Sequence, residues 1–229
     1  MSRTGSAVDR TFWAGYARVY DSAWDSPIAA LIGQRVAELT GGPPGSIAVD
    51  VGCGTGLMSA ALSRRGQRVV SVDASAAMLA VGRRRGRLAR ANVVATADAT
   101  GLATGSVTTA VAVNVLHVVD DPEGVLGEMI RLCAPGAAIA VVWPSPGVDR
   151  IALGRAEKAL GWSGTRRARA AAARAAVALP GKALRVRRHS AGTLHDLVLS
   201  VAAEHGLQVV VQEDFRRCQQ LVVLATPLG

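Results

Sequence analysis

The chain has 229 residues, 50% of them hydrophobic, a size that suits one domain with a full apolar core. Its three cysteines are widely spaced with no C-x-x-C pair, which excludes a disulfide scaffold and argues against a zinc site, so no metal is expected. No apolar run nears the roughly 18 residues needed to span a bilayer, and the polar opening Met1 to Arg10 does not resemble a signal peptide, so a cytoplasmic protein with no membrane partner is expected.

Thr11 to Tyr20 is expected to be helical, and Ser26-Pro27 is placed to cap a second helix that runs to Leu39 and stops at Gly41-Gly42. Five of the chain's eight aromatics gather here: Phe12, Trp13, Tyr16, Tyr20 and Trp24. Phe12, Tyr16 and Tyr20 recur every fourth residue, which would put three rings on one helix face. Such a stripe suits simple docking on the domain or closure over a site, and both readings stay open.

The next segment, Val49 to Gly56, reads V-D-V-G-C-G-T-G, an apolar strand that breaks into three glycines at alternate positions. Gly52, Gly54 and Gly56 allow a sharp strand-to-helix turn with close backbone approach. The helix N-terminus that follows would favour carboxylates or phosphates. A dinucleotide fingerprint would place glycine at position 57, where this chain has Leu57. Arg68 to Asp73 reads as a buried strand ending in an acid, 21 residues after Gly52, placed to accept from ribose hydroxyls. Asn92 to Thr96 makes a third strand, followed by Asp98. Val107 to Val113 makes a fourth and exits into N-V-L-H-V-V-D-D-P, where Asp120 and Asp121 are placed to cap a helix from Pro122 to Cys133. Strand Ala137 to Trp143 follows. Alternating strands and helices point to an α/β layered sheet.

Between Arg150 and Arg188 nine arginines and two lysines face a single acid, Glu157, within a formal net charge of +9. Arg166, Arg167, Arg169 and Arg174 fall on one side of a helix over Thr165 to Leu179. A solvated face is the plain reading; an anionic substrate, a carrier protein or a partner subunit is the alternative. Trp162 is the single aromatic in that stretch, which lacks the interleaved rings that stack on bases, so nucleic acid is not expected. Thr193 to Glu204 should be the last long helix, followed by strands Leu207 to Val211 and Leu221 to Leu224. His189, His195 and His205 lack metal-ligand spacing and are expected at the surface.

Taken together, the glycine loop, Asp73, Asp98 and the segment after the fourth strand resemble class I S-adenosylmethionine (SAM) dependent methyltransferases. The resemblance covers Ile47 to Trp143 and, in outline, Thr193 to Pro227. The motif A-R-V-Y-D, Ala17 to Asp21, is similar to the lid of ubiquinone-biosynthesis-type members. It implies a Rossmann-like, doubly wound, mostly parallel seven-stranded sheet with an antiparallel final strand. A single domain over 1–229 would carry a helical lid at 1–42 and an Arg/Ala-rich insertion at 150–190 on the substrate side.

The same resemblance implies that SAM or S-adenosylhomocysteine is held by Asp50, Gly52, Cys53, Gly54, Gly56, Asp73, Ala74, Asp98, Ala99 and Asn114, with Asp98 near the adenine amino group. Tyr16, Tyr20, His117 and Trp143 are the candidate substrate walls, His117 serving as general base if the acceptor must lose a proton. Cys53 reads as a filler between glycines, not as a nucleophile. Two departures thin the adenine wall: Val107-Thr108 stands where the family often has Phe-Asp, and Leu102-Ala103-Thr104-Gly105 is a shortened stretch. Asn114-Val115-Leu116-His117 also differs from the family's nucleic-acid motif. The expected function is methylation of a small molecule in natural-product biosynthesis. The alternative is a non-methylating step, cyclisation or elimination, on an anionic intermediate with a partner subunit. An NAD(P) oxidoreductase is disfavoured by Leu57 and Asp98. Homo- or hetero-oligomerisation is left open.

Overall fold

The computed structural model describes residues 7–89, 91–147, 150–183 and 189–228. Their strands are β1 (Ile47–Val51), β2 (Arg68–Asp73), β3 (Asn92–Val94), β4 (Val107–Val113), β5 (Cys133–Pro144), β6 (Gln208–Phe215) and β7 (Gln219–Ala225). They form one sheet in the order β3-β2-β1-β4-β5-β7-β6. The first five run parallel, and β7 is antiparallel to both β5 and β6. The expected doubly wound sheet is present. Chain order reverses between β1 and β4, so the crevice outside their carboxyl ends is where a ligand of such a sheet sits.

Helices cover both faces. Helix α3 (Pro27–Leu39) and α4 (Leu57–Arg64) bury Ile28, Ile32, Val36, Met58 and Leu62 on one side. Helix α6 (Pro122–Leu132) and α9 (Ala191–Glu204) bury Val125, Met129, Leu194 and Val198 on the other. The central strands are largely buried on both faces, hence their Val- and Ala-rich sequences, interrupted by Asp50 in β1 and by Thr108 and Thr109 in β4. Caps set the helix starts as expected: Ser26 accepts from the Ala29 amide at 3.3 Å, and Asp121 accepts from Gly124 at 2.8 Å.

One helix differs from expectation. The stretch Thr11 to Tyr20 is two helices, α1 (Ala7–Tyr16) and α2 (Tyr20–Trp24), separated by a turn. The amides of Arg18 and Val19 bond back to Gly15 and Tyr16, three residues earlier, so the helix tightens and stops. Gly15 in that last turn is a poor helix former, which helps the break. The rings stay together regardless, with Tyr16 at 5.6 Å from Phe12 and 5.4 Å from Tyr20.

Strand β3 ends two residues before Thr96, because Thr96 bridges to Ala99 in a tight turn instead of continuing the ladder. Strand β6 is longer than expected and turns into β7 through Arg216 and Arg217, both at positive φ. Helix α5 (Ala76–Arg84) follows β2; α7 (Arg150–Ala159) and α8 (Gly164–Ala183) follow β5. No helix among the described residues is long and apolar enough to cross a membrane.

Candidate active site

The glycine loop joins β1 to α4 at the carboxyl end of the sheet. Two of its glycines are demanded by the protein's own packing. A Cβ at Gly52 would run into Val115, and one at Gly56 would run into Leu88. Gly54 is different: a Cβ there would come only to 3.8 Å from the Tyr20 ring, so the side of Gly54 away from its backbone faces the N-terminal aromatics. The loop is tied to β2 by two bonds. The Cys53 amide donates to the Val72 carbonyl at 2.9 Å, and the Gly54 amide donates to Asp73 Oδ2 at 2.8 Å.

Asp73 also accepts from the Ser75 amide through Oδ1, at 2.8 Å. Each carboxylate oxygen thus has one amide partner and a further lone pair to offer a hydroxyl. Burial pushes its pKa up, against those two bonds. Ala74 beside it is exposed.

Asp50, in β1, leads into the loop. It is buried, accepts from Ser59 Oγ at 2.6 Å, and burial raises its pKa to about 7. Ser59 in turn pairs with Ser71 Oγ at 2.9 Å, so α4, β1 and β2 share one polar knot under the loop. Asp50 therefore ties β1 to α4 across the loop. Cys53 is buried, and burial with Asp50 and Asp73 nearby holds its thiol well above the ordinary value. A neutral thiol suits the filler reading.

Asn114 ends β4 at φ 59, a left-handed conformation that asparagine tolerates better than most residues. Its amide donates to Val142 at 2.8 Å, while its side-chain Oδ1 is buried with no partner among the described residues. His117 sits half-buried in the turn after β4, and its carbonyl accepts from the His189 amide at 3.4 Å. His189 is half-buried too, its Nε2 donating to the Val119 carbonyl at 3.0 Å. That clasp was not visible in the spacing of the histidines.

Asp98 and Ala99 stand in the turn after β3, the first half-buried and the second exposed. An anchor beyond the reach of local pattern holds the segment that follows. Glu128 of α6 accepts from the Thr100 amide and hydroxyl, and Arg131 donates to the Leu102 carbonyl and the Thr104 hydroxyl, both at 2.8 Å. Arg131 and Thr100 hold the Glu128 carboxyl down at about 2. Sequence offered one clue, the (i, i+3) acid–base pair in α6.

The N-terminal rings meet the loop through Tyr20. Tyr16 is buried, its hydroxyl accepting from the Trp24 indole, and burial raises the pKa of both phenols. Both therefore remain neutral donors. Two expectations need correction. Trp143 is fully buried in the main core, its indole donating to the Ala191 carbonyl at 3.2 Å, so it is not an open pocket wall. Arg174 is no part of a solvated basic face: it is buried on Glu157 at 2.5 Å, donates to the Ala23 carbonyl at 2.8 Å and lies over Trp24. Arg166 and Arg169 are exposed, as a solvated face requires.

Part of this chain is similar in sequence to known proteins. Residues 49–141 match the methyltransferase domain family. The ubiquinone biosynthesis O-methyltransferase of Hahella chejuensis (strain KCTC 2396) is 34% identical over 101 residues, covering 41% of this chain and 41% of that protein. The match thus spans about two fifths of that relative's length. Among solved structures, a SAM dependent methyltransferase from Aquifex aeolicus superposes with TM-score 0.61 at 15% identity, covering 92% of this chain and 97% of its own. The [4+2]-cyclase SpnF gives TM-score 0.61 at 16% identity, covering 87% and 81%. At these identities the structural likeness is one of fold.

Proposed function

We propose that this chain is a class I SAM-dependent methyltransferase, which binds SAM over the glycine loop and transfers the methyl group to a small molecule; the match of residues 49–141 to the methyltransferase domain family supports this. The observation that carries this is the Asp73–Gly54 clasp at the carboxyl ends of β1 and β2 with Tyr20 covering it. The residues present fit the cofactor. Asp73 keeps lone pairs for ribose hydroxyls, Asn114 Oδ1 is a buried acceptor in need of a donor, and the loop leads into the N-terminus of α4. Bound there, SAM supplies a methyl group already activated on a sulfonium.

The chain's own part is mostly positional. Tyr20 and the rings behind it exclude water, and the turn holding His117 faces the same end of the sheet. A phenol, alcohol or carbon acid would give its proton to His117. Asp98 and Ala99 are proposed at the adenine end, in the turn anchored through Thr100. Natural-product chemistry and a cytoplasmic setting belong to the proposal. The three free thiols support the latter.

Likeness to the [4+2]-cyclase supports a second reading, in which bound SAM is not consumed. The buried pairing of Arg174 weakens the anionic-intermediate version of it, since one of its cations is already neutralised. Incubation with SAM and extracted metabolites, followed by assay of S-adenosylhomocysteine, tests the main reading. Release of S-adenosylhomocysteine with a methylated product is expected; turnover of a metabolite without it would favour the second reading. Calorimetry that showed NADH binding and no SAM binding would overturn both.

A further inference from the structure

A charged cluster joins three segments that are distant in the chain: α2, the glycine loop and the turn after α5. Arg87 Nη1 donates to Asp21 Oδ1 at 2.9 Å and lies 3.4 Å from Thr55 Oγ1, and its Nη2 donates to Asp25 at 2.6 Å. Thr55, inside the loop, donates its hydroxyl to the same Asp21 oxygen at 2.6 Å. Arg85 adds a contact to Asp21 Oδ2 at 3.3 Å. The side chains of Arg87 and Asp21 are only 14% and 9% exposed, so water and salt screen this pair less than a surface one. Arg87 is itself fixed, its amide donating to Gly82 at 3.1 Å and its Cβ set 3.2 Å from where a Gly56 Cβ would stand.

On its other side α2 is held by Arg174, through the Ala23 carbonyl and the Trp24 ring. The two attachments differ in kind. Arg174 belongs to the buried α7–α8 pair with Glu157, whereas Arg87 reaches from the edge of the loop itself. Loop and α2 share the Asp21 carboxylate through Thr55 and Arg87, so the position of one constrains the other.

We propose that Arg87 is a positioning residue that holds α2, and with it Tyr20, closed over the glycine loop, so that cofactor release requires this cluster to open. Arg87 acts through Asp21 and Thr55. The inference rests on the SAM site proposed above, and the test separates the two. R87M keeps the apolar stem and removes the charge, R87K restores a charge without the fork, and R85M removes a largely exposed neighbour.

Three quantities are read: the S-adenosylhomocysteine off-rate by stopped flow, hydrogen exchange of the 17–26 segment without ligand, and thermal unfolding. R87M should raise the off-rate about tenfold, the scale for losing one hydrogen bond to a charged partner. It should also speed exchange in 17–26 alone, with a midpoint shift of no more than about 3 °C. R87K should recover part of both effects, and R85M, which removes a 59% exposed contact to the same Asp21, should show both more weakly than R87M. Unchanged off-rate and exchange in R87M would overturn the proposal. So would faster exchange throughout the protein, which marks a purely structural role. If the wild-type protein binds no S-adenosylhomocysteine, the cofactor reading fails, and the ligand-free exchange still decides whether Arg87 holds α2 closed.

Discussion

Asp73 does two jobs in this structure, and they predict different losses. It orders the loop through the Gly54 amide and offers its free lone pairs outward. D73A should cost about 1.5–3 kcal/mol of SAM affinity, the scale for a hydrogen bond to a charged acceptor. Isothermal calorimetry measures this directly, and an unchanged affinity would place the ribose elsewhere. Asp50 makes a prediction in pH. Its folded pKa, about 7, lies above the ordinary value of 3.8, so its contribution to stability is full below about 4 and is lost as pH rises through 7. Asp73 shifts in the same direction. Glu128 has the opposite sign: its pKa falls from 4.5 to about 2, so its contribution is present above 4.5 and lost only as pH drops towards 2. Between pH 5 and 8 the slope therefore belongs to the buried acids. The wild-type melting temperature should fall over that range, and D50N should flatten the fall and melt higher than wild type at pH 8. A wild-type profile that rises from pH 5 to 8 would contradict this.

Helix α8 illustrates what a helical wheel can and cannot say. Arg166, Arg167, Arg169 and Arg174 lie on one side of it, yet Arg174 faces Glu157 and α2 while Arg166 and Arg169 face water. R174E should destabilise the fold by about 3–5 kcal/mol, because it sets a second acid beside a buried Glu157. R166E with R169E should change stability by no more than about 0.5 kcal/mol each. Urea titration of the two variants distinguishes them, and equal costs would refute the assignment. The N-terminal helices offer a related test. Tyr16, Ala17 and Met78 form a small cluster separate from the two sheet-facing cores. Removal of residues 1–24 should leave a domain that unfolds cooperatively at lower temperature and no longer retains the cofactor. Loss of cooperative unfolding would show instead that these helices complete the core. Much of the elements' order was legible in sequence: β2 and β4 match the expected spans, and the Ser26 and Asp121 caps stand where the residues predicted them. The break between Tyr16 and Tyr20 was not, since a four-residue repeat looks the same in one helix or in two that meet at a turn.

For the whole molecule, binding of a ligand to the native state alone must raise its melting temperature. At a hundredfold excess over Kd, S-adenosylhomocysteine should add about 2.7 kcal/mol, or roughly 5–10 °C for a chain of this size. NADH should add nothing. A thermal-shift titration showing the reverse would exclude the proposed cofactor. The net charge of +9 does not say which arginines are free to meet a ligand: Arg87 pairs with Asp21 and Asp25, Arg131 with Glu128, and Arg174 with Glu157. The sequence by itself determined the sheet and its loop, because strand and helix periods, capping residues and the Gly52-to-Asp73 spacing are local or regular signals. Only the tertiary structure decided that Asp50 is buried on Ser59, that Trp143 is core, and that α2 is held between Arg87 and Arg174. Those contacts join residues 66 and 151 positions apart, and no local pattern records which distant carbonyl or carboxylate an arginine will meet.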